Sequence, residues 1–233
     1  MRAVCYTPFV IIDQVKLRQL VHVFLEENKK LNLSAFRTDE HCWIGNVLDS
    51  LSFLEALKSV EGLKMPATLL DIGTGGGFPL LPLAISLPET HCSGIDATRK
   101  KIDAVQRIVA SLGLKNVGLF VDRFEDKARD KNFREKFDCV TARAVAPIAV
   151  LLEYAVPFLT VGGFCAFWKS SKVADELAAS VNAQKILGVS FAGTYEYDLS
   201  SDFGKRLIVF FRKTKTTSSE YPRKVGIPKA KPL

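Results

Sequence analysis

Asp71-Ile72-Gly73-Thr74-Gly75-Gly76-Gly77-Phe78-Pro79 carries the clearest chemical signal in this chain. The stretch follows a short apolar run, Ala67 to Ile72, and leads into residues that suit a helix with Pro79 in its first turn. Glycines in that setting let the chain turn sharply and let a ligand approach the backbone. The free N–H groups at the helix start then hydrogen-bond it. The chemistry is that of a nucleotide-like ligand held outside the carboxyl end of a strand. A dinucleotide fingerprint, Gly-x-Gly-x-x-Gly, fails because the sixth position from Gly73 is Phe78, and no Gly-Lys-Ser/Thr follows for a P-loop. Asp96 ends the next strand-like run and can accept both ribose hydroxyls, or cap the helix that follows. In Asp122-Arg123-Phe124-Glu125, Phe124 can pack on a purine and Glu125 or the backbone can hydrogen-bond it; the acids equally suit a plain helix start. Arg143 closes a later strand and can meet a carboxylate, a phosphate or guanine O6, or pair with a buried acid such as Asp71.

The elements that must position these residues alternate. Apolar side chains at helical spacing predict one helix over 10–31 and another over about 40–58, together an N-terminal cap. Strands are expected at Ala67–Ile72, His91–Asp96, Val117–Val121, Phe137–Arg143 and Phe164–Trp168. Helices are expected between them: one opened by Pro79, then Lys100–Leu112, a charged one around 122–132, and an apolar one from Pro147 to Leu159 ended by a Gly162-Gly163 turn. An Ala-rich helix, Val173–Ile186, precedes two last strand-like runs, Val189–Tyr197 and Arg206–Phe211, joined by a loop too short for a helix. Alternation of this kind implies a parallel sheet covered on both faces. The whole is an α/β fold, a mostly parallel seven-stranded sheet closed by an antiparallel hairpin, the shape of the class I methyltransferases. Three regions result: a helical cap over 1–62, a core over 63–213 and a basic tail over 214–233.

The 233 residues carry a net charge of +7, and their composition excludes disordered, collagen-like and coiled-coil chains. A basic chain suggests an anionic partner, nucleic acid first. Six of the seven net positive charges fall within 212–233, where Arg212, Lys213, Lys215, Arg223, Lys224, Lys229 and Lys231 face Glu220 alone. Phosphates reward such a cluster through counterion release, and Tyr221 among these cations can stack on a base. The five cysteines are odd in number and lack metal-ligand spacing, so they are expected to be reduced core thiols with no metal. Asp13 interrupts the first apolar stretch and Pro147, Glu153 and Pro157 interrupt the longest one, so neither a signal peptide nor a membrane span is expected, and the protein should be cytoplasmic. No Ser/His/Asp set, catalytic-cysteine motif or Asn/Asp-Pro-Pro-aromatic motif is present.

Asp71-x-Gly73-x-Gly75-x-Gly77 resembles motif I of S-adenosylmethionine (SAM) methyltransferases. More widely, the chain resembles the bacterial 16S rRNA guanine-N7 methyltransferase family (GidB/RsmG) in segments that run nearly its whole length in order. They are Asn32-Leu33-Ser34-Ala35, Leu48-Asp49-Ser50-Leu51, residues 71–85, Asp96 with Lys100-Lys101, Thr141 to Ala146, Lys169 and Tyr221 to Lys229. Three positions depart from the family pattern: Asn46 stands where His is usual, Leu80 where Gly is, and Val225 where Pro is. The resemblance implies methyl transfer from SAM to N7 of a guanine in the 530 loop of 16S rRNA. It implies SAM contacts at Gly73, Phe78, Phe124, Glu125 and Arg143, to which the loop adds Asp71, Gly75, Gly77 and Asp96. Guanine N7 has a free in-plane lone pair, so Arg143 is expected to position rather than to act as a base. Lys169, Arg206, Tyr221, Arg223, Lys224 and Lys229 are the expected RNA contacts, on rRNA or the small subunit, by a monomer. Two alternatives stay open: a small-molecule SAM methyltransferase, and a ribosome-assembly factor that binds SAM and RNA without turnover.

Overall fold

A computed structural model describes residues 4–7, 10–170, 173–199 and 203–233. The chain opens with a small antiparallel pair, β1 (Val4–Thr7) and β2 (Val10–Ile12). The helix expected over 10–31 is therefore shorter, α1 (Gln14–Leu31), and begins where the Asp13 carboxylate accepts the Lys16 N–H at 2.9 Å. The second cap helix is one rod in three parts: α2 (Asp39–Cys42), a π-helical turn (Trp43–Leu48) and α3 (Asp49–Ser59).

The core then alternates through β3 (Thr68–Ile72), α4 (Leu80–Ser86), β4 (His91–Asp96), α5 (Arg99–Ser111), β5 (Val117–Val121), α6 (Phe124–Lys127), β6 (Phe137–Arg143), α7 (Ile148–Ala155) and β7 (Leu159–Ser170). It ends with α8 (Ala174–Ala179), α9 (Val181–Leu187), β8 (Val189–Asp198), β9 (Lys205–Lys213) and a last short turn of helix, α10 (Ile227–Ala230). The strands form the expected seven-stranded sheet in the order β5-β4-β3-β6-β7-β9-β8, parallel except for the two pairings of β9.

Side-chain alternation explains why both faces are covered. Leu70, Ile72, Val140, Ala142, Cys165 and Phe167 point to the face packed by α7 and α9. Their neighbours Leu69, Cys139, Phe164, Ala166 and Trp168 point to the face packed by α3 and α4. Leu17, Leu20, Val21 and Phe24 of α1 join Val105 and Ile108 of α5 in a third cluster, which fixes the cap beside the glycine loop.

Three elements differ from expectation for local reasons. The charged helix stops at Lys127, because the chain turns to set the Phe133 ring edge-on to Phe120 at 4.8 Å. The Ala-rich helix breaks at buried Ser180, whose hydroxyl donates to Leu177 O and accepts from Gln184 Nε2. Gly162-Gly163 makes an irregularity inside β7 instead of a turn before it; a Cβ on Gly163 would sit 2.9 Å from Asp138 O, so only glycine lets the strands stay paired there.

The largest difference concerns the tail. Residues 214–233 fold back along the α7 side of the core, with Thr217, Pro222 and Pro228 buried. Arg134 donates to the carbonyls of Thr217, Ser218 and Tyr221, and Arg129 to that of Pro222. Glu153, fully buried in α7, accepts from the Arg223 backbone N–H and from its Nε, each at 2.8 Å. Lys213, also fully buried, donates to Glu135 at 2.7 Å and to two backbone carbonyls. Removing one partner of a buried ion pair leaves the other charge unsatisfied. Arg223→Ala is therefore expected to lower the unfolding free energy by about 3 kcal/mol, read as a fall in the urea midpoint with an unchanged m-value.

Candidate active site

The glycine loop leaves the end of β3 and is pinned to β4: the N–H groups of Gly73 and Thr74 both donate to Ile95 O, at 2.8 and 3.0 Å. Gly73, Gly75 and Gly77 all have positive φ, of 73°, 53° and 92°, which explains the glycine spacing. Their surroundings differ. A Cβ on Gly77 would meet Leu81 at 2.7 Å and one on Gly76 would meet Phe24 at 2.9 Å, so these two allow close packing of loop on helix and cap. A Cβ on Gly75 would meet nothing closer than Gly73 O at 3.7 Å, so this glycine faces open ground. Asp96 stands beside it, one carboxylate oxygen accepting Gly75 N–H at 3.1 Å and the other Thr98 N–H at 2.8 Å. Asp96 is not the cap of α5, whose N-cap is Thr98 with no side-chain cap bond; it pins the turn before that helix and presents a carboxylate at the open side of the loop. An open glycine face beside an acid fits a nucleoside with free ribose hydroxyls.

Phe124 and Glu125 follow β5 at the start of α6. The Phe124 ring tilts on Tyr154 at 5.3 Å and borders Gly73, its Cζ 3.6 Å from where a Cβ there would lie. Glu125 is buried and accepts the Gly226 N–H at 3.1 Å, which links the folded-back tail to this end of the site. Phe78 is buried edge-on to Phe24 at 4.9 Å, with the Arg143 guanidinium 5.7 Å above its ring.

Arg143 ends β6 and reaches into the cap. Its Nη1 donates to Gly45 O at 3.0 Å and to Asp49 Oδ2 at 2.9 Å, and its Nη2 to Asn46 Oδ1 at 2.7 Å. Its acid partner is thus Asp49, not Asp71. The π-helical turn matters here, because it places Gly45 O and Asn46 toward the guanidinium just before Asp49. Ala144, directly after Arg143, has φ of 56°, a conformation costing a non-glycine residue about 1–2 kcal/mol.

Beyond these strand ends lies a cavity of about 420 Å³, lined among others by Arg143, Val145, Trp168, Lys169, Tyr197 and Arg206. Three of the sequence-predicted residues therefore meet in one place. Val145 joins the cavity to the glycine loop, its Cγ2 2.8 Å from where a Cβ on Gly73 would sit. Lys169 donates to Ala146 O and to Glu176, each at 2.7 Å, so it is a half-buried, paired wall residue, not a free surface cation. Arg206 Nε donates to Phe203 O. The expected tail contacts do not reach this cavity's wall. Tyr221 packs against the α7-side core, Arg223 is held by Glu153, and Lys224 and Lys229 are exposed.

Sequence reasoning missed Asp49, Trp168, Glu176 and Tyr197. Asp49 accepts from Arg143 and from Tyr197 OH at 2.7 Å, while its backbone O accepts Trp168 Nε1 at 2.9 Å. The signal for it was an acid inside an apolar helical run, Leu48-Asp49-Ser50-Leu51. Glu176 had no signal beyond a short acidic helix start. Among the described residues no group of His, Cys, Asp or Glu could hold a metal ion, and no helix is long and apolar enough to cross a membrane. Cys42, Cys92, Cys139 and Cys165 are buried free thiols; burial pushes Cys92 up to about 12.

The family model described as "rRNA small subunit methyltransferase G" matches residues 13–194. A ribosomal RNA small subunit methyltransferase G of an Exiguobacterium species is 38% identical over 227 residues, 95% of this chain and 93% of that one. One of Desulfitobacterium hafniense is 40% identical over 209 residues, 90% of this chain and 84% of that one. Among solved structures, a putative O-methyltransferase from Klebsiella pneumoniae shares the fold with a TM-score of 0.56 at 14% identity, over 84% of this chain and 90% of that one.

Asp71, fully enclosed at the end of β3, has its carboxyl pushed up to about 7 by burial, against the Thr141 hydroxyl (2.8 Å) and the positive charge of Arg143. In the unfolded chain its pKa is about 4. Below that value both states are protonated; between about 4 and 7 the unfolded state loses its proton first, so Asp71 destabilises the fold increasingly as pH rises, and above 7 the loss is constant. Asp71→Asn removes this slope. The variant is expected to gain stability over the wild type on the order of a few kcal/mol at pH 8 and little at pH 4.5, measured by urea denaturation at both pH values.

Proposed function

This chain belongs to the rRNA small subunit methyltransferase G family, and from that premise we propose that it transfers a methyl group from SAM to N7 of a guanine in the 530 loop of 16S rRNA. The observation that carries the reading is the open face of Gly75 beside the Asp96 carboxylate, joined through Val145 to a cavity with basic residues in its wall. When bound, SAM supplies a sulfonium methyl that guanine N7 takes as the carbon–sulfur bond breaks, with no proton to remove. The protein's task is accordingly positioning and exclusion of water.

Asp96 holds the ribose hydroxyls, and the open face of the loop at Gly75 lets the rest of the nucleoside and its amino-acid end approach the backbone closely. Phe124 packs on the adenine, with Glu125 completing that edge. Phe78, Gly73 and Gly77 shape the floor. Arg143 lends a positive field near the methionine carboxylate while its own hydrogen bonds to Gly45, Asn46 and Asp49 keep it in place. The target base leaves its stack to enter the cavity. Lys224, Lys229 and the outer part of Arg206 meet RNA phosphates, while Tyr221 and Arg223 serve by holding the tail in shape. The protein acts as a cytoplasmic monomer on rRNA or on the small subunit.

Incubation with tritiated SAM and small subunits lacking the modification is expected to label the 16S rRNA, with cleavage at N7-methylguanine mapping to the 530 loop. Label on protein or on a small molecule, with none on RNA, would overturn the reading. Gly75→Asp puts a carboxylate on the open face of the loop in a backbone conformation that disfavours it. Calorimetry is expected to show no SAM binding by that variant, while RNA affinity in a filter assay stays within about twofold (~0.4 kcal/mol) of the wild type.

A further inference from the structure

We propose that Glu176, set beside Lys169, reads the Watson–Crick edge of the target guanine and so selects this base, an inference that rests on the functional reading above. The two residues come from different elements, Lys169 from the end of β7 and Glu176 from the first turn of α8, and both line the cavity next to Arg143 and Val145. Glu176 Oε2 is fully occupied: it accepts Lys169 Nζ at 2.7 Å and the Ile148 N–H at 3.0 Å. Oε1 has no hydrogen bond to a described residue. The Lys169 ammonium has three N–H donors; among the described residues Ala146 O and Glu176 take two of them. A fixed donor and a fixed acceptor therefore stand side by side in the cavity wall, each with one position that no described residue takes.

Guanine displays the complement of that pair. Its O6 acceptor lies next to the N1–H and N2–H donors, so O6 can meet the third Lys169 N–H while N1–H and N2–H meet Glu176 Oε1. Adenine presents the reverse order, an amino donor toward the ammonium and the bare N1 toward the carboxylate, and each contact is then repulsive. Uracil matches O6 and N1–H but lacks the second donor. A flipped base read on this edge is the usual arrangement in enzymes that act on bases. N7 lies across the ring from N1 and N2, so gripping this edge turns N7 away from Glu176, leaving it to the side of the cavity that Val145 shares with the glycine loop. Bond formation at N7 puts positive charge on the purine and makes N1–H more acidic. The hydrogen bond to the carboxylate therefore strengthens as the methyl is transferred, which raises kcat beyond its effect on binding.

The test uses two RNAs, one with guanosine and one with inosine at the mapped target position; inosine lacks only the N2 amino group. With the wild type, inosine is expected to lower kcat/KM about ten- to hundredfold, the range for a lost hydrogen bond to a charged group. Glu176→Ala should lower kcat/KM on the guanosine RNA by a similar factor, and inosine should then cost it less than about threefold. Glu176→Gln, which keeps one acceptor and the bond to Ile148 N–H, should reduce kcat more than it raises KM, with SAM affinity unchanged, and it carries the same comparison if the alanine variant does not fold. A full inosine penalty in both variants would mean that Glu176 only shapes the wall, and would overturn the inference while leaving the functional reading intact. Absence of guanine methylation by the wild type would overturn both.

Discussion

The buried carboxylate of Asp49 is the contact on which the rest of the site depends. It sits in a helix of the cap, yet its partners are Arg143 at the end of β6 and Tyr197 on β8, while its own carbonyl holds the Trp168 indole on β7. Three strands and the cap thus converge on one residue. An ionised carboxylate with almost no access to water is tolerable only when its oxygens are this well satisfied. The reciprocal constraint falls on Arg143: with Gly45 O, Asn46 and Asp49 as acceptors, its guanidinium cannot swing into solvent. The strained backbone of Ala144 persists because this anchor precedes it. The floor of the cavity and the wall of the glycine loop, which meet at Val145, are set by that anchor.

The C-terminal segment shows how misleading a charge count can be without a structure. Most of the formal excess lies in 212–233, which suggests a free cationic arm. Yet Lys213 is sealed against Glu135, Arg223 against Glu153, and the segment's carbonyls are taken by Arg129 and Arg134 of the core. A segment with little apolar surface is therefore held by charged groups that satisfy its backbone. The contact between Gly226 N–H and Glu125 then ties the segment to the start of α6, beside Phe124 and the glycine loop. Lys224 and Lys229 are the cations of this segment, among those expected to meet RNA, that stay exposed.

Most of the sheet was legible because fully buried parallel strands read as short apolar runs between turn signals; His91–Asp96, Val117–Val121 and Phe137–Arg143 have the expected bounds. The glycine loop was legible because backbone geometry demands glycine at three alternate positions. What could not be read are contacts between residues far apart in sequence. Asp49 to Arg143, Lys169 to Glu176 and Glu153 to Arg223 depend on which elements the fold brings together, and neither periodicity nor composition encodes that. Ser180 and Phe133 illustrate a smaller limit. The expected helices ran through Ser180 and up to the residue before Phe133, but one buried hydroxyl and one packed ring ended them earlier by tertiary packing.

Asn46 shows how a departure from a family pattern can be absorbed. Its amide oxygen accepts Arg143 Nη2, while its amide nitrogen faces the Cys42 sulfur at 3.6 Å, one turn earlier on the same rod. An amide offers acceptor and donor together and carries no charge at any pH. A histidine can accept from Arg143 only through an unprotonated ring nitrogen, so its ability to anchor the guanidinium would fade as the ring gains a proton. With asparagine the anchor holds through that range, and the Asn46–Arg143 contact cannot act as a proton-sensitive switch. Asp71, whose carboxyl is pushed up to about 7 by burial, acts on Arg143 through charge rather than through a shared proton.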